Sequence, residues 1–380
     1  MRLNLNISKR ELTIVCGSTL AAVALFFATC VLRPIDTSTP ADARHGWSSA
    51  AAASEETQAI VGAMPAFAIT DDNGVAIVQA NERANVRLWH AVLEARGGHL
   101  PNVPQQVGDC VSWGAKHAIE YLQYMEMKTG PPGSEFHEVF APYIYGVSRV
   151  LIGQGRLRGE GSCGAWAAKG VTQFGVLRAD FENVPAYSGH IARQWGKDGP
   201  PQQFIAEAKK FLVQMTSPVA DASSIRDAIV NGYPCTIASN IGFDKIVKRD
   251  GRLVGVRSGS WSHQMAVIGY DGSGETPYWY ILNSWGPDAH GKPLGDEPPG
   301  GFWIGERDMT AIAAQGDSFA YSSFAGFKAR DFHFDLFSRK ENHENHPADP
   351  RAVAVRDSQR PRAGLRPARR AGNASLTLGL

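Results

Sequence analysis

The sequence predicts an α+β fold in which a helix-rich half precedes a sheet. Between residues 98 and 230, apolar residues recur mainly at helical spacing. From Pro234 onward they form five short runs that are typical of buried strands. With 380 residues and 43% hydrophobic content, the chain is long enough to bury at least one large core.

Residues 1–33 are predicted to be an N-terminal membrane anchor or signal segment. Residues 12 to 32 carry no charge and are long enough to cross a bilayer as a helix. Lys9 and Arg10 precede them, which places the N-terminus in the cytoplasm and the rest of the chain outside it. The length favours an uncleaved, single-pass anchor. The alternative is a signal peptide cleaved near Ala41-Asp42-Ala43, which would make the protein secreted.

Residues 34–97 are predicted to be a linker followed by an N-terminal extension. The stretch from Pro34 to Gln58 is rich in Ala, Ser and Thr without a clean period, which indicates a tether. Residues 65 to 80 have a short β character on either side of a turn signal. Apolar residues between Ala84 and Ala95 recur at helical spacing and predict a helix, which Gly97 and Gly98 end.

The next predicted helix begins at Cys110. Apolar residues recur along one face, and the opposite face carries Lys116, Glu120, Gln123 and Glu126. Cys110 therefore lies at a helix N-terminus, where free N–H groups and the helix dipole favour an anion. This position predicts a thiolate, which makes Cys110 the candidate nucleophile.

The remaining elements follow in order. Helical spacing from Trp166 to Phe174, ended by Gly175, predicts another helix, and two more are predicted at Gln202–Val213 and Ser223–Val230, the last capped by Ser223 or Ser224. Strands are predicted at Cys235–Ala238, Leu253–Val256, Gln264–Tyr270, Tyr278–Leu282 and Phe302–Gly305. Residues 287 to 301 are a predicted loop, and Ser318 to Phe327 closes the sheet.

Residues 331–380 are predicted to be a disordered basic tail. After Phe337 the chain has no aromatic residue and carries nine Lys or Arg against four acidic residues. The net charge of the whole chain is only +1, so no nucleic-acid partner is expected.

The cysteines do not form a disulfide scaffold. Cys163 and Cys235 could pair or remain as buried thiols, and the position of Cys235 at the start of a strand favours buried thiols. No cysteine and histidine spacing indicates a zinc site, so no metal and no cofactor are predicted.

Two downstream motifs complete an ordered set with Cys110. His263 opens the apolar run that ends at Tyr270, and Asn283 follows an aromatic-rich strand in Asn-Ser-Trp-Gly. The set resembles the papain family of cysteine peptidases over residues 98–330. The resemblance implies a papain-like catalytic domain with a helical N-terminal lobe, an antiparallel β-sheet or barrel in the C-terminal lobe, and a cleft between them.

The resemblance also implies roles for individual residues. Cys110, His263 and Asn283 would form a catalytic triad, and Gln105 would help to bind the oxyanion, with Gln106 as the alternative because the family spacing matches neither. Gly164 lies in a segment similar to one that pairs with extended substrates, although a close helix approach explains it equally well. Trp285 would lie over the contact between Asn283 and His263.

Three features depart from the family pattern. Val111 replaces the usual tryptophan after the nucleophile, and Asp109 replaces a small residue before it. The carboxylate of Asp109 either caps the helix or points toward the sulfur and raises the pKa of Cys110. The spaced pattern of a long helical inhibitory prosegment is absent.

The predicted function is thiol hydrolysis, most simply peptidase cleavage of a peptide or protein substrate through a covalent acyl-enzyme. The alternatives are an acyl transferase or amidase with the same machinery, and a catalytically silent binding module. The other histidines are predicted to be surface or packing residues: His90, His117, His137 and His290. The sequence predicts no oligomeric state.

Overall fold

A computed structural model describes residues 44–77, 82–130, 134–211, 213–330 and 332. The chain forms two units, residues 1–334 and 335–380, and every described residue lies in the first. The predicted membrane segment and the basic tail after Phe337 lie outside the described residues. Within the described ranges, no helix has the length and apolar character needed to span a bilayer.

The predicted α+β class is confirmed, since most helices precede the main run of strands. The helices are α1 Ser49–Ala52, α2 Glu55–Gly62, α3 Trp89–Arg96, α4 Cys110–Thr129, α5 Ala141–Gly146, α6 Gly164–Phe174, α7 Gly189–Asp198, α8 Gln202–Ala208, α9 Ala222–Val230 and α10 Glu306–Ala313. A π-helical turn, Val147–Ile152, continues α5. Helix α6 ends as predicted at Gly175, whose φ of 79° is accessible to glycine at little cost.

The strands are β1 Ile69–Thr70, β2 Asn85–Arg87, β3 Met215–Pro218, β4 Cys235–Ile241, β5 Lys245–Arg249, β6 Arg252–Val256, β7 Ser260–Asp271, β8 Tyr278–Leu282, β9 Gly301–Gly305, β10 Phe319–Ser322 and β11 Phe327–Lys328. The main sheet has the order β3-β10-β4-β7-β8-β9-β6-β5, and β2 also pairs with β7. Strands β1 and β11 form a separate pair.

Helix α4 is the central helix, and it is buried on both faces. Its apolar side packs against β7, where the Cα of Gly114 lies so close that an added Cβ would be 3.2 Å from the Gln264 side chain. On the side predicted to be polar, Lys116 and Glu120 are 4% and 3% exposed and form an ion pair. The backbone of Val139 completes the pair by accepting from Lys116 and donating to Glu120.

The register of β7 with its neighbouring strands brings His263 and Asn283 to the same end of the sheet. His263 lies opposite Ser239 of β4, and Ala266 lies opposite Leu282 of β8. Because β7 and β8 are antiparallel, Asn283 at the end of β8 returns to the level of His263 near the start of β7.

The N-terminal extension differs from its prediction. The described part of the stretch expected to be a tether, residues 44–58, instead forms α1 and the first half of α2, with Ala51 fully buried. The helix predicted from Ala84 begins only at Trp89, because Asn85–Arg87 pairs with Gly269–Asp271 of β7. A strand edge that lies far away in sequence overrides the local helical pattern.

Two helix boundaries also differ. Helix α8 ends at Ala208 rather than at Val213. Helix α9 is capped by Asp221, whose carboxylate accepts from the N–H of Ser224, rather than by Ser223 or Ser224. Asp221 is the stronger acceptor, since a carboxylate next to a helix N-terminus also interacts favourably with the helix dipole.

Candidate active site

Cys110 is the first residue of α4 and is fully buried. The N–H groups of Gln264 and Trp47 face its thiol and favour the thiolate. Burial outweighs them and raises the pKa of Cys110 to about 12, and the nearby Asp109 raises it further. In this state the thiol is neutral, contrary to the expectation from the helix N-terminus alone.

Asp109 occupies the N-cap position, but its side chain makes no capping hydrogen bond, so the capping alternative is not observed. Oδ2 instead accepts from Trp113 Nε1 at 3.2 Å and from the Tyr187 hydroxyl at 3.4 Å. Oδ1 is buried and has no hydrogen-bond partner among the described residues. Burial raises the pKa of Asp109 to about 8, so at neutral pH the group is largely protonated.

His263 and Asn283 lie together in the buried site. His263 Nε2 lies 2.7 Å from Asn283 Oδ1, which also accepts from the N–H of Ser284 at 2.7 Å. The other ring nitrogen, Nδ1, is buried and makes no well-formed hydrogen bond in the described part of the chain, although the backbone of Arg44 in the N-terminal segment faces the ring. Burial lowers the pKa of His263 to about 3, so the imidazole is neutral in this state.

His290 is a site residue that sequence reasoning missed. Its Nε2 lies 2.8 Å from Asn283 Nδ2, on the side of the amide opposite His263. The residue is buried rather than on the surface, and burial lowers the pKa of His290 to about 4. No sequence signal marks it, because it lies in the Gly- and Pro-rich loop seven residues after Asn283.

Trp285 lies beside the histidine of the pair. Its ring centroid is 4.8 Å from that of His263 and 4.6 Å from that of Trp261. Its indole N–H donates to the carbonyl of Arg44 at 2.9 Å. Trp285 therefore forms a wall of the site between His263 and an N-terminal segment.

The two candidate glutamines diverge. Gln105 is buried, accepts from the Ser284 hydroxyl at 2.6 Å and donates to the Val107 carbonyl at 2.9 Å. Gln106 instead accepts from the N–H of Gly189 at 2.9 Å. Of the two, Gln105 contacts the loop that carries Asn283, and Gln106 contacts helix α7.

Residues 44–48, defined here as the cover segment, cross the site. The N–H groups of Gly46 and Trp47 both donate to the Ser262 carbonyl at 2.9 Å. On the other side, Ser162 N–H donates to Gly46 and Ser48 N–H donates to Ser162, each at 2.8 Å. The cover segment thus joins the loop before α6 to the start of β7, and it buries Cys110 and His263.

Trp47 anchors the cover segment in a pocket beside the site. Its indole N–H donates to Asp317 Oδ2 at 2.7 Å. The same carboxylate accepts from the N–H groups of Gly164 and Ala165 at the start of α6, at 2.6 and 2.8 Å. Burial raises the pKa of Asp317, and these three donors counteract the shift.

Gly164 lies where a side chain would not fit. An added Cβ would be 2.7 Å from Gln264 Oε1 and 2.9 Å from the Asp317 carbonyl. This favours the close-approach interpretation of its sequence signal, and the backbone that pairs with an extended segment belongs to Ser162. Cys163 and Cys235 are free and buried, as favoured from the sequence.

Sequence reasoning also missed Ser162, Asp317 and the cover segment. One signal was present, since Trp47 is a lone large aromatic residue in an Ala- and Ser-rich stretch. Such a residue is rarely left in solvent.

Comparisons with known proteins give one family match. Residues 162–292 match the model of a family described as papain family cysteine protease, a range that includes His263 and Asn283 but not Cys110. No curated protein matches the chain.

Solved structures similar to the chain include xylellain, a cysteine protease from Xylella fastidiosa, with 15% identity, a TM-score of 0.42, and coverage of 77% of this chain and 96% of that one. Digestive procathepsin L 3 of Tenebrio molitor larval midgut is 14% identical, with a TM-score of 0.43 and coverage of 70% and 79%. Procathepsin B S9 from Trypanosoma congolense is 13% identical, with a TM-score of 0.45 and coverage of 68% and 82%.

Gly46→Ala should displace the cover segment, because a Cβ at Gly46 would lie 2.0 Å from the Gly108 carbonyl oxygen. We expect iodoacetamide to alkylate Cys110 at least about tenfold faster at pH 7, because hydration lowers the pKa of the thiol. Peptide mapping after timed alkylation measures this rate. Gly62→Ala is the control, since nothing lies within 4 Å of its added Cβ. Equal rates in both variants would contradict a covering role.

Asp109 should make the protein less stable as the pH rises. The folded chain keeps the Asp109 proton up to a pKa of about 8, whereas the ordinary value is 3.8. The folded state therefore binds more protons between these values, and the free energy of unfolding falls across this window. Urea unfolding at pH 5 and pH 8 should show a smaller loss for Asp109→Asn than for the wild type. Exposed Asp72→Asn should behave like the wild type, and an unchanged loss in Asp109→Asn would refute the assignment.

Proposed function

We propose, on the premise that this chain matches the papain family cysteine proteases over residues 162–292, that it hydrolyses peptide bonds with Cys110 as nucleophile. The family match confirms the predicted resemblance and supports a cysteine-type peptidase. The roles of individual residues and the acyl-enzyme mechanism are our proposal.

The observation that carries the proposal is the pairing of His263 with Asn283. The amide oxygen occupies Nε2 of the imidazole at 2.7 Å, so Nδ1 would be the nitrogen available to the thiol once Arg44 leaves with the cover segment. Cys110 lies next to the N–H of Gln264, the residue that follows His263 in β7. The thiol therefore lies beside the backbone of the residue next to His263, and a small movement of the imidazole would bring nucleophile, base and orienting amide together, as acyl transfer from an amide requires.

Each side chain would then have one step. His263 Nδ1 takes the thiol proton, the Cys110 sulfur attacks the carbonyl carbon, and the protonated imidazole returns the proton to the departing amine. Water hydrolyses the thioester in a second pass through the same base. Asn283 keeps the imidazole in place, and the Cys110 N–H with a side-chain amide of Gln105 would stabilise the oxyanion.

The cover segment must leave before a substrate can bind. It occupies the backbone groups of Ser162 and Ser262 that would otherwise pair with an extended peptide. Its removal also hydrates Cys110 and His263, which shifts both pKa values toward the range in which a thiolate and an imidazolium coexist. With the cover segment in place, the structure is therefore a closed form of the proposed enzyme.

The Trp47 pocket supports a substrate preference. The acceptor in this pocket is the buried carboxylate of Asp317, which also accepts from the N–H groups of Gly164 and Ala165. A substrate side chain without a hydrogen-bond donor would leave this carboxylate without the third hydrogen bond that Trp47 now donates. We propose that the pocket accepts a tryptophan of the substrate once Trp47 has left.

The membrane anchor and the location outside the cytoplasm stay predictions, since they depend on residues 1–33. A peptidase held outside the cytoplasm would meet peptide and protein substrates in that compartment.

Cys110→Ala should lower peptide hydrolysis by at least about a thousandfold, because the oxyanion donors alone give little turnover. The measurement is cleavage of a peptide mixture by the full-length chain carrying Gly46→Ala, with and without Cys110→Ala. Cys235→Ala is the matched control, since Cys235 is an equally buried free thiol in β4. Circular dichroism checks that each variant is folded.

Undiminished turnover in a folded Cys110→Ala protein would exclude this mechanism. Product formed mainly by transfer to an added amine would favour an acyl transferase. No turnover, with equal alkylation of Cys110, Cys163 and Cys235, would favour the binding module.

Peptides carrying tryptophan should be cleaved at least about tenfold faster, by kcat/KM, than peptides carrying 3-benzothienylalanine at the same position. The two side chains have nearly the same shape, but only the indole donates a hydrogen bond, and an unsatisfied buried acceptor costs about 1–3 kcal/mol. The test scans this residue through each position of one peptide with the Gly46→Ala protein. Equal rates at every position, or a preference for arginine over tryptophan, would overturn the proposed preference.

A further inference from the structure

His290 lies in a cage of aromatic rings behind the proposed catalytic pair. Its ring centroid is 4.7 Å from that of Phe302, 5.7 Å from Trp285 and 6.1 Å from Trp261. Such a cage restricts the ring orientation and keeps water from the polar edge. The hydrogen bond that this edge makes, to Asn283 Nδ2, is therefore buried.

The two ends of the Asn283 amide are satisfied by different kinds of partner. Oδ1 accepts from the N–H of Ser284 and faces His263 Nε2, while Nδ2 donates toward His290 Nε2. Nε2 of His290 can accept only when it carries no proton, so the neutral ring is protonated at Nδ1. Rotating the amide by 180° would turn Nδ2 toward the N–H of Ser284, so that two donors face each other. It would also turn Oδ1 toward His290 Nε2, which could then donate only if the proton of the ring moved from Nδ1 to Nε2.

This orientation decides which proton His263 carries. An amide oxygen beside Nε2 requires a proton on Nε2, which leaves Nδ1 unprotonated in the neutral ring. Nδ1 makes no well-formed hydrogen bond to the described residues, and the group that faces the ring there is the backbone of Arg44 in the cover segment. The base of the proposed reaction is thus prepared by the hydrogen bond on the far side of the amide.

We propose that His290 is a positioning residue that holds the Asn283 amide with its oxygen toward His263, and so keeps His263 in the tautomer that can accept the Cys110 proton. The proposal rests on the proposed function for the role of that proton. Burial lowers the pKa of His290, which keeps its Nε2 free to accept at neutral pH. The neighbouring titratable group across the amide is His263.

The first test compares His290→Phe with His290→Gln in the full-length chain carrying Gly46→Ala. The phenyl ring fills the cage without an acceptor, and the glutamine supplies an amide oxygen. We expect kcat to fall about 10–100-fold in His290→Phe, as for other residues that orient a catalytic group, with KM changed less than about twofold. His290→Gln should recover most of kcat. His137→Phe is the control, because that ring packs on Phe211 rather than at the site.

The second test reads the tautomer without turnover. Long-range ¹H–¹⁵N NMR of the imidazole nitrogens in Cys110→Ala protein should show His263 protonated at Nε2. Adding His290→Phe should give a mixture of tautomers, and adding His290→Gln should restore one. If His290→Phe does not fold, His290→Met makes the same comparison.

The outcomes separate this proposal from the one on which it rests. An unchanged His263 tautomer in a folded His290→Phe or His290→Met protein, or equal kcat in the Phe and Gln variants, would overturn the role of His290. Absence of turnover in every variant would overturn the proposed function, while the NMR result would still decide whether His290 sets the tautomer.

Discussion

The contact between helix α4 and strand β7 is the constraint on which the site depends. The helical half of the chain packs against the sheet at this contact. Within it, Gln264 Nε2 donates to the Val111 carbonyl at 3.0 Å. Gly114 lets the helix approach the strand one turn further along. Because Gln264 follows His263 and Val111 follows Cys110, this buried hydrogen bond holds the backbone that carries the thiol next to the backbone that carries the imidazole.

Burial favours the neutral forms of the Cys110 thiol and the His263 imidazole. In water a thiol at a helix N-terminus and a nearby imidazole favour the ion pair, since dipole and Coulomb attraction add. In the covered site the loss of hydration is larger, and it raises the pKa of Cys110 while it lowers that of His263. A site closed by its own chain therefore holds a neutral thiol and a neutral imidazole, and the chain also blocks access to them.

The cover segment occupies groups that, under the proposed function, would bind a substrate. The cover segment takes backbone hydrogen bonds from Ser162 and Ser262, and Trp47 satisfies Asp317. The cover segment is also held by packing, since Trp47 belongs to the hydrophobic core and His45 lies against Trp285. Under the proposed function, an extended peptide would replace the backbone hydrogen bonds of the cover segment, and a substrate side chain would have to refill the space that Trp47 leaves in the core.

The sequence by itself determined the α+β class, helix α4 from Cys110, and strand Tyr278–Leu282 with its following asparagine, because periodicity and turn residues act locally. The family resemblance pointed to His263 and Asn283, and the structure brings their side chains within 2.7 Å of each other. Only the tertiary structure decided the strand at Asn85–Arg87, the burial of Lys116 with Glu120, the cover segment, and the positions of His290 and Asp317. These depend on which distant backbone and side-chain groups meet, and on how much water their meeting removes, which no local pattern encodes.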